Sequence, residues 1–127
     1  MYKKRALTVG GMILVVLMVC AAIEDAKAFC VYNETDTAIR VVQSFGSKPL
    51  HEFVVVIEPD DDKCCNWKNE DCNTGGDRDS MVAFDVDSMS AEGWVTGHIC
   101  KWFRIKAGGW LTVKGKKGKY KCVAHFE

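Results

Sequence analysis

The fold follows from an alternating pattern that is clearest in residues 78–87, which read Arg-Asp-Ser-Met-Val-Ala-Phe-Asp-Val-Asp. Val82, Phe84 and Val86 fall on one side of an extended chain, because successive side chains of a β-strand point to opposite faces. Asp85 and Asp87 fall on the other side. This period of two predicts a strand with one face in a core.

The same pattern recurs in both directions from this strand, with turn residues roughly every eight to twelve positions. Residues 94–105 form a long segment that we expect to be bulged or broken. Residues 110–114 and 120–126 predict a hairpin around the turn at 115–118. The remaining segments are 29–33, 37–45, 51–57 and 64–67. No stretch after residue 28 has apolar residues at helical spacing, so the chain predicts an all-β fold: a small disulfide-stapled antiparallel β-sandwich (or barrel) of about eight short strands.

Segment 51–57 is apolar on both sides. Phe53, Val55 and Ile57 alternate with Val54 and Val56. Such a strand suits burial of both faces. We therefore expect it to be a central strand.

The first 28 residues have the features of a secretory signal peptide. Lys3, Lys4 and Arg5 precede an uncharged apolar run over residues 6–23, and Ala26-Lys27-Ala28 provides the small-x-small cleavage pattern. The predicted division is a signal peptide at 1–28 and a disulfide-rich β domain at 29–127, with no integral membrane span after cleavage. One alternative is a transmembrane helix, because the apolar run is long enough to span a bilayer. Another is a lipoprotein acylated at Cys20, although Val19 stands where a small residue is preferred.

Cleavage makes the cysteine count even. The chain has seven cysteines, and Cys20 leaves with the signal peptide. The six that remain predict three disulfides in an oxidising compartment, with about 15 pairings open. Adjacent cysteines at 64 and 65 are expected to join different neighbours, and the paired C-x-x-C spacing of a zinc site is absent. The six are Cys30, Cys64, Cys65, Cys72, Cys100 and Cys122.

The charges are segregated along the chain. Lys and Arg total 17 and so do Asp and Glu, yet residues 93–126 contain eight basic residues and no acidic one. The acidic residues concentrate in 52–92. A basic end of this kind favours an anionic surface as partner. Export and the near-neutral total charge argue against nucleic acid.

An acidic loop at residues 69–79 is a candidate calcium site. Asp71, Asn73, Asp77 and Asp79 offer oxygen ligands at short spacing beside two glycines, as calcium requires. The match to an EF-hand fails, because Thr74 stands where that loop needs glycine. The alternative is a polar loop in which these residues serve turn geometry.

Three tryptophans near the basic segment are candidate ligand contacts. Strand alternation places Trp94 and Trp102 on the face that also carries His98 and Cys100, and Trp110 on the face opposite Leu111 and Val113. Exposed tryptophans bind sugar rings and form protein hot spots. The predicted ligand-binding residues are Trp94, Trp102, Trp110, Lys101 and Lys114. The alternative is that these tryptophans belong to the core.

Catalytic patterns are weak. His51, His98 and His125 are the only candidates for a neutral-pH base, and no serine has the context of an activated nucleophile. The sequence favours a non-enzymatic exported binding domain, secreted or periplasmic, that recognises a glycan, a cell-envelope component or an extracellular protein. A secreted toxin, effector or inhibitor is an alternative, and a small secreted hydrolase is another.

Overall fold

The computed structural model describes residues 28–50, 53–90, 92–94 and 98–126, so the predicted signal peptide lies outside the described residues except for Ala28. The described residues form nine strands and no helix. No helix long and apolar enough to cross a bilayer therefore occurs among them. The strands are β1 (Ala28–Thr35), β2 (Ile39–Phe45), β3 (Val54–Ile57), β4 (Asp62–Asn66), β5 (Met81–Ser90), β6 (Gly93–Trp94), β7 (Cys100–Lys106), β8 (Trp110–Lys116) and β9 (Lys119–His125).

The strands form two sheets, as predicted for a sandwich-like all-β fold. The first sheet has the order β4-β1-β8-β9. The second sheet has the order β3-β2-β5, and β6 and β7 both pair with β5. One pair departs from the antiparallel expectation, because β1 and β8 run parallel. A parallel neighbour needs a long connection, which the six intervening strands provide.

The core lies between the two sheets. Val82, Phe84 and Val86 are fully buried, as the alternation predicted, and Leu111 and Val113 face them from the first sheet. Phe29 packs edge-to-face on Phe84 with ring centroids 5.4 Å apart. The other buried apolar side chains in this cluster are Val31, Ile39, Val41, Ile57, Cys72, Ile105 and Ala107.

The prediction that β3 is a central strand was wrong. β3 pairs with β2 on one side and forms an edge of the second sheet. Its inner face is buried at Ile57, but Val54 is 54% exposed and Val56 is 47% exposed. The apolar residues on both faces indicated burial, whereas the strand's place at an edge is a tertiary property.

Three disulfides staple the domain, as the cysteine count predicted. Cys30 and Cys64 are cross-strand partners in β1 and β4, and Cys65 turns the other way to bond Cys72. The adjacent cysteines therefore join different neighbours. The third bridge, Cys100–Cys122, links β7 of the second sheet to β9 of the first. Three disulfides in so small a domain are typical of extracellular proteins.

Candidate functional site

Two irregularities in the second sheet shape its outer face. The pairing of β2 with β5 shifts register between Gln43 and Phe45. In β7, Phe103 pairs with Phe84 and Cys100 with Val86, so the two residues between them face one residue of β5. Bulges of this kind bend a strand and reorient its side chains.

The bulge in β7 places Trp102 on the outer face. Trp102 has a φ of 53°, in the left-handed region that residues other than glycine seldom adopt. Its backbone N–H donates a hydrogen bond of 2.8 Å to Asp85 Oδ1. The prediction that Cys100 shares the face of Trp102 was wrong, because the bulge changes the alternation and Cys100 packs against the core.

The indole of Trp102 lines an apolar depression, which we call the Trp102 cleft. The ring centroids of Trp102 and Phe45 are 6.0 Å apart at an interplanar angle of 33°. The rings are exposed, since Trp102 retains 49% and Phe45 retains 52% of their accessible surface. The cleft has a volume of about 350 Å³ and is lined by these two residues with Met81 and Arg104.

The surroundings of the cleft are mixed, because Asp85 accepts the hydrogen bond from the Trp102 N–H and Lys101 is exposed next to Trp102. On the same outer face β3 exposes Val54 and Val56. Arg104 is exposed at the cleft, and it has no ion-pair partner among the described residues. On its other side Phe45 borders a wider, more polar depression of about 630 Å³. The outer face of the second sheet thus combines exposed rings and exposed valines with charged side chains, among them the exposed Arg104.

Trp94 is held in a charged cluster on the second sheet and is half-buried. The Arg40 guanidinium lies 5.3 Å from the centroid of the Trp94 ring. The same guanidinium donates a 2.7 Å hydrogen bond to Asp87, whose side chain is 3% exposed and whose other oxygen faces His98 Nδ1. Trp94 is therefore less exposed to a ligand than Trp102, because its ring is half-buried and contacts Arg40 within the domain.

The predicted contact residues divide between the two sheets. Lys101 is exposed next to Trp102 on β7. Trp110 lies on the outer face of the first sheet, because the next residue of β8, Leu111, points into the core. Its ring stacks on His125 with centroids 5.0 Å apart. Lys114 follows on the same face, 3.8 Å from a Glu34 oxygen. The tryptophans therefore do not form one platform.

The β8–β9 hairpin brings four lysines together. Lys114 pairs directly with Lys121, and Lys116 pairs with Lys119. The four alternate with inward-facing positions and so lie on the outer face of the first sheet; we call them the lysine grid. The predicted turn at 115–118 is shorter in the structure, where only Lys117 and Gly118 leave the ladder, with φ of 54° and 79°. Like charges directly opposite in a sheet are destabilising.

Asp36 anchors the tip of this hairpin. Its carboxylate accepts a 2.7 Å hydrogen bond from Tyr120 Oη and a 2.9 Å hydrogen bond from the Lys117 N–H. Both hydrogen bonds hold the pKa of Asp36 below its ordinary value of 3.8, and the bond from Tyr120 has the larger effect. The same bond to Asp36 raises the pKa of Tyr120 above 10.0.

The predicted calcium ligands are not gathered around one point. Asn73 is fully buried, and its Nδ2 donates hydrogen bonds of 2.7 Å to Trp67 O and 2.9 Å to Asp77 O. Asp77 Oδ1 accepts from the Asp79 N–H at 3.0 Å, as in an Asx turn. Asp71 and Asp79 lie near lysine ammonium groups, at 4.0 Å and 3.5 Å. In the part of the chain that the structure describes, the one group of three potential Cys, His, Asp or Glu ligands contains the disulfide-bonded Cys30 and Cys64. Calcium binding stays a prediction that this geometry does not favour.

A hydrolytic centre finds little support. His98 faces Asp87, His125 stacks on Trp110, and His51 lies outside the described residues. Within the described ranges no serine or cysteine forms a hydrogen bond with a histidine. His98 and Asp87 therefore form a paired imidazole and carboxylate, and the hydrogen bonds of the described residues join no serine or cysteine to this imidazole.

Sequence reasoning missed Phe45, Met81 and Arg104 as members of the cleft. Arg104 could have been found, because it is two residues from Trp102 and shares its face. Phe45 could not, since its contact with Trp102 depends on the order of β2, β5 and β7.

No protein-family model, no curated protein and no solved structure matches this chain.

Proposed function

We propose that the protein is an exported, non-enzymatic binding domain that recognises a protein partner through the Trp102 cleft. The observation that carries this proposal is the exposed Phe45–Trp102 pair, whose rings lie 6.0 Å apart on the outer face of the second sheet. Folding alone gives no reason for this arrangement. Trp102 sits in an unfavourable left-handed conformation, and its large ring remains half in solvent.

The extent of the apolar surface favours a protein over a sugar as the ligand. Beyond the cleft, Val54 and Val56 expose about half of their surface on the same sheet face. Sugars are bound by an aromatic ring and adjacent polar groups, whereas protein hot spots combine tryptophan or arginine with surrounding apolar contacts. Trp102 and Arg104, with Phe45 and Met81 beside them in the cleft, match the second description.

Export is supported by two features. The sequence begins with a signal-like segment, and the domain contains three disulfides, which persist in oxidising compartments. A secreted or periplasmic location follows as part of the proposal. The binding surface would then meet an envelope or extracellular protein.

The test compares two matched tryptophan variants. Wild-type domain, Trp102→Gly and Trp110→Gly are immobilised and exposed to secreted and envelope proteins of the source organism. A protein retained by the wild type is then purified, and its affinity for each variant is measured by calorimetry. We expect Trp102→Gly and Phe45→Ser to weaken binding by about 30-fold or more, as at an interface hot spot.

Trp110→Gly controls for the general loss of an indole, because Trp110 lies on the other sheet. We expect it to keep the wild-type affinity. Equal affinity of the wild type and Trp102→Gly would contradict the proposal. So would a wild-type domain that retains no secreted or envelope protein.

A further inference from the structure

A second surface, on the opposite side of the sandwich, has features that the proposed protein partner does not explain. The lysine grid consists of two directly opposed pairs, Lys114 with Lys121 and Lys116 with Lys119, and Lys117 follows at the tip of the hairpin. Within the ladder, opposed residues have Cβ atoms about 5 Å apart, and alternate residues along a strand are about 7 Å apart. Four ammonium groups thus share one small area.

The surrounding carboxylates neutralise this area only in part. Glu34 lies 3.8 Å from Lys114. Asp36 is near Lys116, but its two oxygens accept hydrogen bonds from Tyr120 and the Lys117 backbone. Lys119 and Lys121 form no ion pair with any residue that the structure describes.

Protection of a sheet edge does not account for the whole grid. Lysines on an edge strand discourage pairing with other chains, and β9 is the edge of the first sheet. However, Lys114 and Lys116 are on β8, which is enclosed between β1 and β9. In addition, Lys117 occupies a left-handed turn position with φ of 54°, where glycine, asparagine or aspartate would be favoured.

The same face indicates the class of anion. All residues of the hairpin are described, and its exposed side chains are mainly lysines, with Trp110 and Tyr120 half-buried. Tyr32, 38% exposed, lies on this face beside Thr112, and Trp110 follows one row further along. A row of cations that leads to aromatic rings suits a chain of sugars with acidic substituents.

We infer that the lysine grid binds a linear acidic polysaccharide, with the carboxylate or sulfate groups on the four lysines and the sugar chain directed along β8. This site is separate from the Trp102 cleft, and the inference does not depend on the proposed protein partner. Its failure would leave that proposal standing, and the reverse is also true.

The test uses heparin and polygalacturonate as sulfated and carboxylated probes, with neutral dextran as the uncharged probe. Binding of the intact, disulfide-bonded domain is measured by calorimetry as a function of salt. If four lysines displace counterions from a linear polyanion, affinity should fall roughly 50-fold between about 50 and 200 mM salt. Dextran should not bind.

The decisive variant is the triple change Lys116→Gln, Lys119→Gln and Lys121→Gln. We expect it to weaken binding by about tenfold or more and to reduce the slope of log K against log salt concentration by roughly 0.7 per lysine. Because the substitutions remove like-charge repulsion, the melting temperature should not fall, which separates a loss of binding from a loss of folding.

A matched control removes three lysines elsewhere, each of which lies near a carboxylate. The control residues are Lys48, Lys63 and Lys106. This control triple should keep the wild-type affinity and salt dependence. Equal weakening by both triples would mean that only net charge matters and would overturn the inference.

Two further results would also overturn it. One is the absence of binding to both acidic polysaccharides at about 50 mM salt, where the electrostatic contribution is largest. The other is preferential binding to vesicles of phosphatidylcholine and phosphatidylglycerol, which would make a lipid surface the ligand.

Discussion

Replacing Trp102 by glycine and by alanine tests whether the β7 bulge holds this residue in a costly conformation. Both substitutions remove the same indole ring and therefore lose the same contact with Phe45. They differ in the backbone. With a φ of 53°, an alanine keeps the left-handed penalty of roughly 1–2 kcal/mol, which glycine does not have.

The expected order of stability is the reverse of the usual one. In an ordinary strand, glycine is less stable than alanine by roughly 0.5–1 kcal/mol. At position 102 the relief of the left-handed penalty opposes this loss. Trp102→Gly should therefore be more stable than Trp102→Ala by roughly 0.5–1 kcal/mol.

Trp110 provides the matched control, because its φ is not among the positive values. There we expect Trp110→Ala to be more stable than Trp110→Gly by the ordinary 0.5–1 kcal/mol or so. Free energies of unfolding are measured by urea denaturation with the disulfides intact, and equal m-values verify that the comparison is between similar states. If alanine is the more stable substitution at both positions, the reasoning about the bulge is refuted.

Four other predictions concern the rest of the domain. Because the pKa of Asp36 is lowered in the folded state, its interaction stabilises the fold above pH 3.8 and is lost as the pH falls through the lower, folded-state pKa. The melting temperature of Asp36→Asn should therefore fall less than that of the wild type in acid, and an equal fall would contradict this. The pKa of Tyr120 is raised in the folded state, so its hydrogen bond stabilises the fold below pH 10.0 and this contribution is lost as the pH rises through the folded-state pKa. The melting temperature of Tyr120→Phe should therefore fall less than that of the wild type in alkali. Replacing Cys100 and Cys122 by alanine opens a loop with a sequence separation of 22 and should cost about 3 kcal/mol in urea denaturation; an unchanged stability would mean that the bridge between the sheets adds nothing. Calcium should leave the melting temperature unchanged, whereas a site with a millimolar Kd would add about 1.4 kcal/mol at a tenfold higher calcium concentration.

The elements that could be predicted are those specified by local patterns. The alternation of Val82, Phe84 and Val86 identifies a buried strand face without any knowledge of its neighbours. The glycines at 115 and 118 mark the hairpin, and the even number of cysteines after the predicted signal peptide predicts three bridges. Each of these inferences needs only the chain itself.

The features that could not be predicted depend on which strands are neighbours. Val54 and Val56 are exposed because they lie on the outer face of the second sheet, and the sequence does not show which face of an apolar strand a second layer covers. The contact of Phe45 with Trp102 bridges β2 and β7 across β5. The length of segment 94–105 indicated a bulge or a break but not its position, so the inward position of Cys100 was missed.

The lysine grid is an intermediate case. The sequence shows the lysines and the hairpin, and a turn at 115–118 would leave Lys116 outside the ladder. A two-residue turn at Lys117 and Gly118 extends the ladder by one more pair and sets Lys116 opposite Lys119. One detail of turn geometry therefore decides whether the lysines are scattered along a loop or opposed in pairs.

Both candidate surfaces lie where the local structure is less stable than it could be. Trp102 occupies a left-handed conformation, and two lysine pairs oppose like charges in a ladder. A domain of about a hundred residues has a net stability of only ~5–15 kcal/mol, so such costs must be offset elsewhere. Three disulfides, each worth ~2–4 kcal/mol, are large enough to do so. Because disulfides persist in oxidising surroundings, reduction of the three bridges should weaken both surfaces together.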